Sequence, residues 1–198
     1  SGLPFAQARL AYVRGKSVTI GVSVHAGQSD WQKAYPAGHY TDDKTSTWGA
    51  AGDLKVVAGQ VTVMAEGFMG SNLGMMFSNA GTRTVATETS DFKVEGIDVM
   101  GGWGELSFKP ANSKVSFNGG AGIEILDDDQ VEEMATAAGS LSQNLTLFGN
   151  LQFDPVPKVT FALEVGYIQT TYKYLAGTTL EEGDGTNLNG AVSARMAF

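Results

Sequence analysis

Residues Leu188 to Phe198 read L-N-G-A-V-S-A-R-M-A-F. Leu188, Gly190, Val192, Ala194, Met196 and Phe198 are apolar or small, and Asn189, Ala191, Ser193, Arg195 and Ala197 stand between them. Successive side chains of a strand point to opposite faces, so this period of two predicts a strand with an apolar face and a more polar one. Its length of roughly 11 residues is what a tilted strand needs to cross a bilayer. The same pattern also suits a terminal edge strand of a soluble sandwich. The rest of the chain decides between the two.

Working outward, the alternation recurs eight times, predicting strands over 5–13, 17–26, 47–57, 61–69, 99–109, 114–126, 142–153 and 158–170. The clearest is 114–126. There Val115, Phe117, Gly119, Ala121, Ile123 and Ile125 alternate with Ser116, Asn118, Gly120, Gly122 and Glu124. Val18, Ile20, Val22 and Val24 share one face of the second strand, and β-branched residues suit a pleated sheet. The connections alternate strictly. Those at 14–16, 58–60, 110–113 and 154–157 are short; those at 27–46, 70–98, 127–140 and 171–186 are long, and 131–138 reads as a helical turn. A sandwich gives no reason for that segregation, whereas an outer-membrane barrel has short turns at one end and long loops at the other. Tyr12, Phe108, Phe153 and Phe198 fall near short turns, and Trp48, Tyr167 and Tyr172 near long loops, where interfacial aromatic girdles belong.

The expectation is therefore an all-β fold: an antiparallel transmembrane β-barrel, with residues 1–198 forming one barrel domain. Bacterial barrels have even strand numbers. Nine strands then point to the C-terminal part of a larger barrel of about 12–18 strands. The alternative is a complete eight-stranded barrel in which 2–13 is not a strand. Composition agrees with either. No run approaches the ~18 apolar residues of a membrane helix, and the sequence has no cysteine, hence no disulfide or thiolate chemistry. The net charge of −8 argues against nucleic acid as a partner. No charged segment followed by an apolar one opens the sequence, so no signal peptide is expected within it.

The faces opposite the apolar ones predict a water-filled lumen. Its expected pore-lining residues are Arg9, Asp53, Lys55, Glu66, Glu105, Asn118, Glu124, Asn150, Glu164 and Arg195. Mixed charges across a lumen create a transverse field that selects solutes by charge and dipole. The competing reading is that these charges pair inside a closed barrel with a structural or partner-binding role. An outer-membrane enzyme is the third reading. Ser23 or Ser29 with His25, and Asp30 or Asp53 as the acid, would supply its nucleophile and base, but no recognisable enzyme spacing is present, and His39 is the only other histidine. Asp127, Asp128 and Asp129, with Glu132 and Glu133, are weak candidates for Ca²⁺ or Mg²⁺, lacking EF-hand spacing. No cofactor is expected. Asp42, Asp43, Glu88, Glu181, Glu182 and Asp184 make the other loops acidic, which favours cations at the mouth. Met64, Met69, Met75 and Met76 near Phe68 and Phe77 read as packing or a loop folded into the lumen, and the apolar segment 73–77 as a pore constriction or a contact with a neighbouring subunit.

A final strand ending on Phe198 resembles the C-terminal signature of bacterial outer-membrane barrels, which the barrel-assembly machinery reads. P-F-A-Q-A-R-L-A-Y at 4–12, G-V-S-V-H-A-G at 21–27, A-G-D-L-K-V at 51–56, V-T-V-M-A-E-G-F-M-G-S-N-L-G at 61–74 and G-G-W-G-E-L at 101–106 look like general porins of Gram-negative bacteria, most of all the DcaP-type porins. The resemblance implies a larger, trimeric barrel set in outer-membrane lipid and lipopolysaccharide. It also implies passive diffusion of small hydrophilic solutes, with no catalysis.

Overall fold

Nine strands lie side by side in one antiparallel sheet: β1 (Ala6–Arg14), β2 (Val18–Asp30), β4 (Lys44–Ala58), β5 (Val61–Ser71), β8 (Asp98–Phe108), β9 (Val115–Leu126), β10 (Ser140–Val156), β11 (Val159–Ala176) and β12 (Thr179–Met196). A second sheet of three short strands, β3 (Tyr40–Asp42), β7 (Phe92–Gly96) and β6 (Thr82–Ala86), and one helix, α1 (Asp128–Met134), complete the elements. The computed structural model describes residues 4–30, 40–42, 44–74, 82–86, 92–134 and 139–196. The large sheet is open: β1 and β12 are its two edges and do not pair with each other.

All nine expected strands are present, including β1, which pairs with β2 through nine consecutive positions; this removes the reading in which 2–13 is not a strand. Several boundaries differ from the sequence reading. β2 runs on to Asp30 and β4 begins at Lys44, narrowing the expected loop 27–46. The connection 70–98 contains the antiparallel pair β6–β7. The helical turn lies at Asp128–Met134, earlier than 131–138. The largest correction is 171–186. β11 and β12 stay in register through it up to Ala176↔Thr179, around a tight turn in which Gly177 has φ +72°. Threonine and tyrosine favour strands here, but both faces of this hairpin are polar, so the sequence shows no apolar alternation. At 154–157 the strand also continues, to Val156. A bulge between Phe153 and Val156 takes up Pro155, which cannot donate to the ladder.

The register carries one face intact across the sheet. Tyr12, Ile20, Leu54, Ala65, Gly104, Ala121, Leu147, Tyr167 and Leu188 form one continuous row of cross-strand partners over all nine strands. A soluble sheet buries such a face against a second layer. Here it stays open: Leu106 is 55 % exposed, Leu163 54 % and Val192 82 %. The buried apolar cluster lies elsewhere. Leu73, Ile97, Val99, Leu126 and Val131 pack together where α1 and the segment 70–74 meet the long-loop ends of the strands.

Candidate functional site

The polar face is the candidate site, and alternation brings all ten expected pore-lining residues onto it. Asp53 stands opposite Glu66, and Glu66 opposite Trp103. One row nearer the short turns, Lys55 faces Met64, and Met64 faces Glu105. Glu124 is opposite Gly101 and Asn144, and Arg195 opposite Thr160.

Some of these residues touch. The Arg9 guanidinium binds both oxygens of Asp53 across β2, Oδ2 at 2.8 Å. Gly21 of β2 lies beneath this pair, and a Cβ there would fall on both side chains. Asn118 Nδ2 donates to Asn150 Oδ1 at 2.6 Å, and Asn150 Nδ2 to Glu164 Oε2 at 3.5 Å, a polar chain over three strands. Ser107 Oγ donates to Glu105 Oε1 at 2.7 Å. Among the described residues, Lys55, Glu66 and Arg195 join none of these contacts. The ten residues carry five carboxylates (Asp53, Glu66, Glu105, Glu124, Glu164) and three cations (Arg9, Lys55, Arg195), a balance of −2.

Three aromatic residues of this face, Phe68, Trp103 and Phe148, are not among the expected pore-lining residues. The Phe68 ring lies over Gly101 on the neighbouring strand and the Phe148 ring over Gly120. Trp103, 40 % exposed, stands between them. The available signal was pairing. In each case a polar-face glycine stands opposite the aromatic, and a strand glycine marks a close approach.

The Leu73 side chain, fully buried, lies on the polar face above Gly49 and Gly70. Asn72 holds it there: its backbone N–H donates to the Ile97 carbonyl at 3.0 Å and its Nδ2 to Thr47 Oγ1 at 2.7 Å. Asn72 has φ +56°, which asparagine tolerates better than most residues. Met75, Met76 and Phe77 lie outside the described residues, as do His39, Asp43, Glu88 and Phe198.

The acidic run of Asp127, Asp128 and Asp129 does not assemble into a metal site. Asp127 is the N-cap of α1, its Oδ1 accepting from the Gln130 N–H at 3.0 Å. Asp128 and Glu132 both bind Lys173 Nζ, at 2.6 and 2.7 Å. Among the described residues no group of three or more histidines and carboxylates is placed to hold an ion. The Lys173 side chain is 9 % exposed. Burial lowers its pKa, but the two carboxylates outweigh that and raise it on balance. At the other end, hydrogen bonds from Lys109 and Thr160 hold the Asp154 pKa below the usual aspartate value. Asp53, one candidate acid for a Ser23–His25 dyad, is bound by Arg9.

On the opposite, apolar face a groove of about 990 Å³ follows small residues, including Ala50, Gly52, Gly67, Gly102, Gly104 and Ala121. No helix among the described residues is long and apolar enough to cross a membrane, which says nothing of strands. Neither family models, curated proteins nor solved structures match this chain.

Proposed function

We propose that the chain is part of a transmembrane β-barrel of a bacterial outer membrane. In this reading it passes small hydrophilic solutes by diffusion, with a preference for cations. The observation that carries this is the two-faced sheet. One face keeps large apolar side chains exposed across nine strands, while the other presents a mixed, net-acidic array over the same rows. Lipid is the solvent that suits the first and water the one that suits the second. Carboxylates in excess attract cations and repel anions at low salt. An even, all-antiparallel barrel needs an odd number of strands beyond these nine, consistent with a larger assembly of about 12–18 strands. Folding by the barrel-assembly machinery, a surround of phospholipid and lipopolysaccharide, and trimers belong to the same proposal.

Planar-bilayer recording of the intact protein tests it. The expectation is stable conductance steps, with a reversal potential of cationic sign under a KCl gradient. Anion preference would sink the selectivity, and a folded protein giving no steps would sink the channel. The Phe68 and Phe148 rings and Leu73 occupy space on the polar face. They are what a closed barrel with a structural role would use, since about eight strands leave an interior just filled by side chains. That is the second reading, and silence in the bilayer favours it.

A further inference from the structure

The short-turn end of the sheet is basic, and the function above makes no use of it. Arg14 ends β1 and Lys16 lies in the β1–β2 turn, Lys109 and Lys114 border the β8–β9 turn, and Lys158 lies in the β10–β11 turn. Asp154, near the end of β10, is the one acid beside these turns. It is engaged by Lys109 at 2.7 Å and accepts from Thr160 at 2.7 Å. Lys114 Nζ donates to the Pro155 carbonyl at 2.6 Å. A recess of about 570 Å³ lies between these turns, lined by Lys114, Asp154, Pro155, Pro157 and Lys158. The opposite end has the reverse sign, with Asp128, Asp129, Glu132 and Glu133 on α1 and Glu181 and Glu182 on β12.

The position of the cations matters as much as their number. Lys109 directly follows Phe108, Lys114 directly precedes Val115, and Lys158 directly precedes Val159. Tyr12, Phe108, Phe117, Phe153 and Phe161 are the exposed aromatics of the apolar face nearest these turns. The lysines thus start where the apolar band stops. Their aliphatic stems can lie along that band while the ammonium groups reach its polar border.

We propose that this rim binds the phosphate groups of anionic phospholipids in the leaflet it faces. The proposal rests on the membrane reading of the sheet. The charge is complementary, the donors are ammonium and guanidinium groups suited to phosphate oxygens, and the placement is at head-group depth. The acidic end would repel the same lipids.

The test is made on the intact protein, refolded into phosphatidylcholine vesicles with and without phosphatidylglycerol and then extracted gently. Co-purifying lipid is counted by mass spectrometry. Phosphatidylglycerol is expected to be enriched over its input ratio, and less so in 0.5 M NaCl, roughly the range in which screening shortens to a few ångströms. Combining Lys114→Gln with Lys158→Asn should cut the enrichment about fivefold or more, given the weight of each basic residue at such a surface. Asparagine is chosen because residue 158 has φ +69°. Lys114→Arg, which keeps the charge, should retain the enrichment. Insertion without enrichment, or enrichment untouched by the double variant, overturns the proposal while leaving the membrane reading standing. So does its loss to millimolar inorganic phosphate, which would mark a free-phosphate site. Failure to insert into either vesicle sinks the membrane reading, and this proposal with it.

Discussion

Gly120 shows how little room the polar face leaves. A Cβ there would press on the Gly104 carbonyl oxygen, well inside contact distance, and come 2.7 Å from the Phe148 ring. The ring can turn aside, but the backbone oxygen of β8 cannot without breaking the ladder. Gly120→Val should therefore destabilise the sheet by about 1–3 kcal/mol, the usual cost of overpacking. The check is the urea midpoint of the folded protein, with Gly119→Val on the opposite face as control, where the nearest atom to a Cβ is 3.5 Å away. Lys173 sets a second expectation. Its folded pKa is raised, so its contribution is fully present below the unfolded value and is lost as pH rises through the folded one. The α1 contact should hold through neutral pH and, on the alkaline side, loosen only above the ordinary lysine range. Asp154 has the opposite sign: its pKa is lowered, so its contribution is present above the ordinary aspartate value and is lost as pH falls through the folded one. Hydrogen exchange at α1 and at the β10–β11 turn, followed against pH, distinguishes the two ends. An α1 contact that stays fully protected well above the ordinary lysine range, or a β10–β11 turn indifferent to acid, would contradict the assignments.

Among the elements, the strands were legible wherever one face was apolar. Val115 through Ile125 could be read residue by residue because every second side chain needs an apolar surround. The β11–β12 extension past Tyr172 was not legible, since beyond the apolar band neither face is apolar and period two disappears. The role of α1 was hidden for another reason. Asp127, Asp128 and Glu132 look like one acidic cluster in sequence, yet the first caps the helix and the other two bind Lys173, 41 residues beyond Glu132. No local pattern reports a partner so distant. Of the candidate site, the face of each residue was readable from alternation, but the contacts Arg9–Asp53 and Asn118–Asn150 depend on register, which no single strand encodes. The cap can be tested alone. Asp127→Ala should cost about 1 kcal/mol, read as faster exchange of the first α1 amides with the β9–β10 ladder unchanged.

For the molecule as a whole, the two faces give the sharpest expectation. The sequence has no cysteine, so single cysteines introduced at chosen sites label without background. In the membrane-inserted protein, cysteines at Leu163 and Val192 should react slowly with a charged maleimide, and those at Glu164 and Ser193 quickly. Reaction independent of face would contradict a lumen on one side and lipid on the other. The all-β class and its antiparallel sheet were legible because they follow from repeated alternation. Closure was not, because it depends on how the edge strands are completed.

Those edges have a further consequence. Counting across the antiparallel sheet, β1 and β12 are first and ninth, so they run in the same direction. Two copies related by rotation about an axis along the strands would bring β12 of one beside β1 of the other with their chains running in parallel. Antiparallel pairing between copies requires like edges to meet, and one copy must then stand upside down. In water or detergent nothing forbids that inversion, and it would set the basic turns of one copy against the acidic loops of the other. In a bilayer entered from one side only, every copy shares one orientation, so insertion direction itself guards both edges against antiparallel self-pairing.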